Sequence, residues 1–229
     1  MYKYIEQNLR NVRGRVAAAA KKAGRDENDI VIIAIAKTFP SAAVKAAVGY
    51  GLSDIGESRV QEAEQKIKEL GQAARWHLVG HLQTNKATKA VKMFDMIQSV
   101  DSLKLAEAIN RAAEAEGKRV DCLVEINSSG EISKFGVRPS EAERLIENIL
   151  DLSHISLRGL MTVGPLTENE QMLRASFRLT RKILEQGQAL AGGQFNILSM
   201  GMSGDFEAAI EEGSNMIRLG SALFGERKK

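Results

Sequence analysis

Eight short apolar runs recur along the chain: Val31–Ala36, Leu52–Ile55, Trp76–Val79, Met96–Val100, Val120–Asn127, Ile155–Val163, Ile197–Met200 and Met216–Leu219. Between them lie longer stretches of helical periodicity, among them Ser58–Leu70, Ser102–Glu116, Ser140–Leu150 and Glu168–Leu190. Runs rich in β-branched residues, with no polar alternation, are what strands buried on both faces look like. Strands alternating with helices build a parallel sheet, and a count of eight points to closure into a (β/α)8 TIM barrel. An open doubly wound sheet is the alternative. Against it, no Gly-x-Gly-x-x-Gly follows the first run; Lys37-Thr38-Phe39-Pro40 stands there instead. Ahead of the first run, Ile5, Leu9, Val12, Val16 and Ala20 mark one helical face, and Ala23-Gly24 supplies a stop. We therefore expect one α/β domain over residues 1–229, a single barrel with an extra N-terminal helix. Ser58, Ser102 and Ser140 are candidate helix caps, Ser140 with Glu143 in a capping box.

Composition narrows the function classes. The net charge is +3 with the signs mixed along the chain, and the one basic cluster, Arg227-Lys228-Lys229, stands at the terminus, where fraying is expected. No basic stripe interleaved with aromatics is present, which argues against nucleic acid as a partner. No apolar stretch approaches the roughly 18 residues of a membrane helix, and the N-terminus lacks the apolar core of a signal peptide. Cys122 is the single cysteine, within an apolar run, so a reducing compartment is the natural setting. A cytoplasmic protein is expected.

The first run ends in Lys37, and Pro40 stops the ladder. Many strands end in a charged residue because they reach water. A lysine that reacts with a carbonyl, however, has to be mounted on a rigid element and deprotonated. In a (β/α)8 barrel the site lies at the C-terminal ends of the strands, with phosphate commonly held after strands seven and eight. There the sequence reads Ser199-Met200-Gly201-Met202-Ser203-Gly204-Asp205 and Arg218-Leu219-Gly220-Ser221. Glycines admit an anion to backbone N–H groups, and Ser203 and Ser221 add hydroxyls. One such loop would be a tight turn; two at these places indicate a phosphate site. Strand eight neighbours strand one in a closed barrel, so a lysine faces a phosphate site across one small ligand. Pyridoxal phosphate carries both an aldehyde and a phosphate, and it binds lysine as a Schiff base. At an ordinary pKa roughly one lysine in a few thousand is neutral at pH 7; partial burial and a cationic neighbour raise that fraction. Arg218 is either that neighbour, reaching the ring nitrogen, or a rim arginine paired with Asp205 or Glu207. At the ring nitrogen, a permanently protonated arginine would keep it unprotonated and weaken the ring as an electron sink, against transaminase chemistry. His77 and His81 straddle a strand end and Gly80, which suits hydrogen-bonding support better than a metal pair. The segment Asn127–Gly136 is long enough to act as a lid.

These residues carry a resemblance. Ala36-Lys37-Thr38, Ile55-Gly56-Glu57, Val60-Gln61-Glu62, Trp76-His77-x-x-Gly80-His81-Leu82-Gln83-Thr84-Asn85-Lys86, Ser133-Lys134-Phe135-Gly136, Ser199-Met200-Gly201-Met202-Ser203 and Arg218-Leu219-Gly220 occur in order over nearly the whole chain. In these motifs the chain resembles the pyridoxal phosphate homeostasis proteins. The resemblance implies a barrel like the N-terminal domain of alanine racemase. It also implies a Schiff base at Lys37, Arg218 near the pyridine nitrogen, and phosphate held by Ser203 and the Gly220 amide. Further cofactor contacts are implied for Ser58, His77, Met161, Ser199, Met202 and Ser221. Ser58 is shorter than the Asn usual in that family at this place. The implied function is binding, buffering and delivery of pyridoxal 5'-phosphate, with apo-enzymes that use the cofactor as acceptors and a monomer as the working form. A racemase or lyase of low activity is the alternative. A two-base racemase needs a second acid/base, which in alanine racemase is a Tyr from a separate β domain. Tyr2, Tyr4 and Tyr50 are the tyrosines of this chain, and none falls at its far end, so holding the cofactor is expected over turnover.

Overall fold

The computed structural model describes residues 2–71 and 73–226. The terminal basic cluster at 227–229 lies outside the described residues. The chain opens with helix α1 (Lys3–Lys22) and then alternates: β1 (Val31–Ile35), α2 (Ser41–Gly49), β2 (Asp54–Glu57), α3 (Val60–Leu70), β3 (Arg75–Leu78), α4 (Ala87–Met93), β4 (Met96–Val100), α5 (Leu103–Ala115), β5 (Val120–Ile126), α6 (Ala142–Leu150), β6 (Ile155–Thr162), α7 (Glu170–Ala191), β7 (Ile197–Ser199), α8 (Phe206–Glu211), β8 (Met216–Leu219) and α9 (Ser221–Phe224). All eight strands are parallel and close into a barrel, β1 pairing with both β2 and β8. The expected (β/α)8 architecture with an additional N-terminal helix is what forms. No helix among the described residues is long and apolar enough to cross a membrane.

The apolar stripe of α1 is buried at Ile5, Leu9, Val12, Val16, Ala19 and Ala20. The helix lies over α8 and α9, where Arg15 pairs with Glu207, Lys22 pairs with Glu211, and the Asn8 amide donates to the Leu223 carbonyl. Exposed pairs of that kind contribute at most about 1 kcal/mol each, so the buried stripe holds the helix.

Two departures from expectation have local causes. β2 lies two residues beyond the apolar run, because its last two residues are Gly56 and Glu57. Gly56 faces the barrel interior, where a Cβ would sit 2.5 Å from Ile35 Cδ1, and Glu57 points outward to a buried partner. A side chain at Gly56 would displace a neighbour, and Glu57 is the buried partner of Lys66. Of the serine caps, Ser102 accepts the Leu105 N–H, but α3 and α6 begin at Val60 and Ala142, past Ser58 and Ser140. A 3-10 turn over Pro139–Glu141 absorbs Ser140, which removes the capping geometry.

The core has two parts. The larger lies between barrel and helices, and the smaller, inside the barrel, comprises Ile33, Ile35, Met96, Leu123, Met161 and Met216. Six residues are few for a barrel interior. Val79, Val163 and Ile197 pack against them, and buried polar residues, among them His77, Gln98, Ser199 and Arg218, fill other inward positions.

Candidate functional site

Ile33 and Ile35 point into the barrel, and Lys37 stands two residues past the end of β1, in the turn at the C-terminal mouth. The turn that follows is tightly fixed. Thr38 has φ of 70°, the one positive φ among the described non-glycine residues. That conformation costs about 1–3 kcal/mol and persists only where its surroundings impose it. The Ala36 carbonyl, immediately before Lys37, accepts the Phe39 N–H at 3.0 Å and the Lys66 ammonium at 2.6 Å. Lys66 in turn lies 2.5 Å from Glu57 Oε1, and both side chains are buried. Burial pushes the Glu57 carboxyl above its ordinary range despite the attraction of Lys66. An internal ion pair therefore clamps the backbone on which Lys37 stands.

On the neighbouring strand, Arg218 is 5% exposed. Its Nη1 donates to the carbonyl and the Oγ of Ser199, each at 2.7 Å, and Nη2 donates to the Thr162 carbonyl at 2.7 Å. The rim alternative is thereby excluded: Glu207 pairs with Arg15, and Asp205 acts on Arg218 only through space. Burial lowers the guanidinium to about 10, while Glu125 and Asp205 oppose the shift. It remains charged at neutral pH.

The two glycine-rich loops meet as expected. Ser203 Oγ accepts the N–H of Gly220 at 3.3 Å and of Ala222 at 3.1 Å. A Cβ on Gly220 would lie 3.7 Å from the Ile35 carbonyl oxygen, so this convergence of amides adjoins the end of the strand that leads into Lys37. Gly201, at φ of 93°, turns the chain where a side chain would strike Phe206. Met202 exposes its side chain and donates its N–H to Asp205 Oδ1 at 2.5 Å. Ser221 is exposed at the start of α9.

The other anticipated residues fall at different depths. Ser58 is half-buried and lines a small groove of about 200 Å³ with Gln61, His81 and Gln83. Met161 and His77 are fully buried inside the barrel, beneath the mouth. His77 bonds Asp54 and Gln98 rather than facing the mouth, and Ser199 is a buried bracket for Arg218. His81 pairs with Asp101 at 3.2 Å and stacks on Phe135, ring centroids 3.9 Å apart. The loop carrying Phe135 is tied internally by the Asn127 side chain and anchored by Lys134, which donates to the Gly164 carbonyl at 2.9 Å.

One group at this level escaped the sequence reading. Glu125, on β5, is 8% exposed, and its Oε2 has no hydrogen-bond partner among the described residues. Burial raises its carboxyl to about 7; the Arg218 charge pulls it down and Asp101 pushes it further up. Gln98, inside the barrel on β4, escaped too. The available signal was a polar residue inside an otherwise apolar run, since buried polar groups are retained only with a reason.

Comparison with known proteins accords with this geometry. The family model "Alanine racemase, N-terminal domain" matches residues 4–228. A protein of Aquifex aeolicus named pyridoxal phosphate homeostasis protein is 38% identical over 223 residues, covering 97% of this chain and 98% of the relative. PipY of Synechococcus elongatus PCC7942, whose structure was solved with PLP bound, superposes with a TM-score of 0.84 at 34% identity, covering 96% of this chain and 100% of PipY. Alanine racemase from Corynebacterium glutamicum shares the fold at 15% identity and a TM-score of 0.73, with 62% of its chain covered. The family match over nearly the whole chain, with relatives of this identity, places the protein in the alanine racemase N-terminal domain family, among the pyridoxal phosphate homeostasis proteins.

Proposed function

We propose that this protein binds pyridoxal 5'-phosphate at Lys37 and holds it for delivery, as a cofactor carrier in homeostasis. The observation that supports the reading is the pairing of β1, which leads into Lys37, with β8, which leads into the Gly220 and Ala222 amides that converge on one oxygen. A phosphate oxygen is the same kind of acceptor as the Ser203 Oγ those amides now meet, so the residues fit the group. Ser203, Gly220 and Ser221 would hold the phosphate, and Lys37 would take the aldehyde. Ser58 would line the rim, Met161 the floor, and the Met202 amide would be available once released from Asp205. When bound, the cofactor supplies an electrophilic carbon and an electron-withdrawing ring. Arg218, held as a cation, would lie at the ring nitrogen and keep it unprotonated, weakening that withdrawal. This disfavours transaminase chemistry. His77 and Ser199 act through Arg218. The reading describes a one-domain cytoplasmic monomer that passes cofactor to apo-enzymes, with neither nucleic acid nor membrane as partner.

The test is transfer. The loaded protein, freed of excess cofactor, is mixed with an apo-enzyme that requires it, and recovery of that enzyme's activity is followed. Full recovery within minutes to an hour is expected, with no Cα deuterium exchange across an amino-acid panel. Cofactor that never leaves would defeat the carrier reading. Exchange that disappears in Lys37→Ala would replace it with an enzyme.

A further inference from the structure

Arg218 is a buried cation whose direct partners are all uncharged: two carbonyls and a hydroxyl. Among the described residues no carboxylate lies within 4.0 Å of it; Glu125, on β5, and Asp205, after β7, act on it through space. A line of hydrogen bonds nevertheless leads from it to a carboxylate across the barrel, and donor capacity fixes its direction. Arginine only donates, so Ser199 Oγ must accept from Nη1, and its own proton goes to Gln98 Oε1 at 2.7 Å. The Gln98 amide then turns its NH2 toward His77 Nδ1 at 3.1 Å, which has to accept. The imidazole proton is left on Nε2, which faces Asp54 Oδ1 at 2.9 Å. Each link donates the same way: Arg218, Ser199, Gln98, His77, Asp54. The line draws on β8, β7, β4, β3 and β2. Four of its members are 5% exposed or less, and Asp54 is the one near solvent. Burial pushes the Asp54 carboxyl up, but bonds from His77 and Ser53 bring it below its ordinary value. It is therefore a carboxylate, the form that accepts from Nε2.

We propose that Asp54 and His77 are positioning residues for Arg218, setting the polarity of this line so that Gln98 accepts from Ser199 and leaves the guanidinium as the donor that Ser199 Oγ takes. Its consequence for cofactor binding rests on the function proposed above; its structural part does not. If Asp54 is lost, Nδ1 can take the proton. Gln98 must then flip and turn its NH2 to Ser199 Oγ, which puts a second donor on the oxygen that takes Nη1 and strips the hydroxyl proton of its acceptor.

The experiment uses the full chain as Asp54→Ala and Asp54→Asn, the second retaining an acceptor without the charge. In the apo-protein, 15N shifts of the His77 ring report the tautomer, and exchange of the Arg218 guanidinium protons reports how firmly it is held. The parent should show the Nε2–H tautomer and slow exchange. Asp54→Ala should change the tautomer and speed exchange at least about tenfold, as expected for loss of one hydrogen bond to a charged group, while Asp54→Asn keeps the tautomer. With pyridoxal phosphate added, Asp54→Ala should shift the pH midpoint of the absorbance band. A parent Nδ1–H tautomer, or Arg218 exchange unchanged in Asp54→Ala, would overturn the proposal. Failure of the parent to bind cofactor would instead remove the proposed function, leaving the tautomer and exchange results to decide this one.

Discussion

Lys66→Met is expected to lower the stability of the apo-protein by about 3 kcal/mol, the range for stranding one member of a buried pair. Lys66 is the partner of a carboxylate whose side chain is fully buried, and one of the two Glu57 oxygens already lacks a hydrogen bond. Without the ammonium, Glu57 must take up a proton or remain an uncompensated charge. The substitution also removes one of the two donors on the Ala36 carbonyl, beside the strained Thr38 turn. Lys37 should therefore be less well aimed, and covalent capture of an aldehyde slower. Urea denaturation at pH 7 measures the first effect and stopped-flow absorbance the second. Adding Glu57→Gln should restore much of the stability without restoring the capture rate. A loss below about 1 kcal/mol, the value for exposed pairs such as Lys68–Glu64, would show that the pair is not the clamp described.

Glu125→Gln is expected to act in the opposite sense and in a pH-dependent way. The Glu125 carboxyl stands near 7 in the fold against an ordinary 4.5. Between those values the unfolded chain has released the proton and the native state still holds it. The native state then binds more protons, so stability falls as pH rises through this window. The stability is intact below about pH 4.5 and lost by the time pH passes 7. The shift corresponds to about 3 kcal/mol. Glu57 and Asp205 are also raised by burial, so the informative quantity is the difference between variant and parent. Near pH 5 the two should be similar; at pH 8 the variant should be more stable by about 2–3 kcal/mol. Denaturation curves that stay parallel across this range would contradict the assignment. A carboxyl that weakens the fold at neutral pH, at the level of Arg218, marks a place kept for function rather than stability.

The barrel was legible because its strands are apolar on both faces and its helices are amphipathic, two patterns that are hard to confuse over this many repeats. β2 was misplaced because Gly56 and Glu57 are defined by neighbours far along the chain, Ile35 and Lys66, and carry no hydropathy signal. Lys37, Ser203, Gly220 and Arg218 could be read because barrel closure dictates that the ends of β8 and β1 are neighbours. Gln98, Glu125 and Asp54 could not, since their roles arise only when side chains from six strands meet inside the barrel. His77 shows the limit clearly. Its place at a strand end suggested hydrogen-bonding support and the family resemblance a cofactor contact; the fold buries it between Asp54 and Gln98.

The central claim is that pyridoxal phosphate is held covalently at Lys37. The direct measurement is borohydride reduction of the loaded protein, followed by peptide mapping by mass spectrometry. We predict a single phosphopyridoxyl label on Lys37, with loss of the visible-edge absorbance band, and neither band nor label in Lys37→Ala. A label confined to another lysine, or a band that survives in Lys37→Ala, would contradict the account.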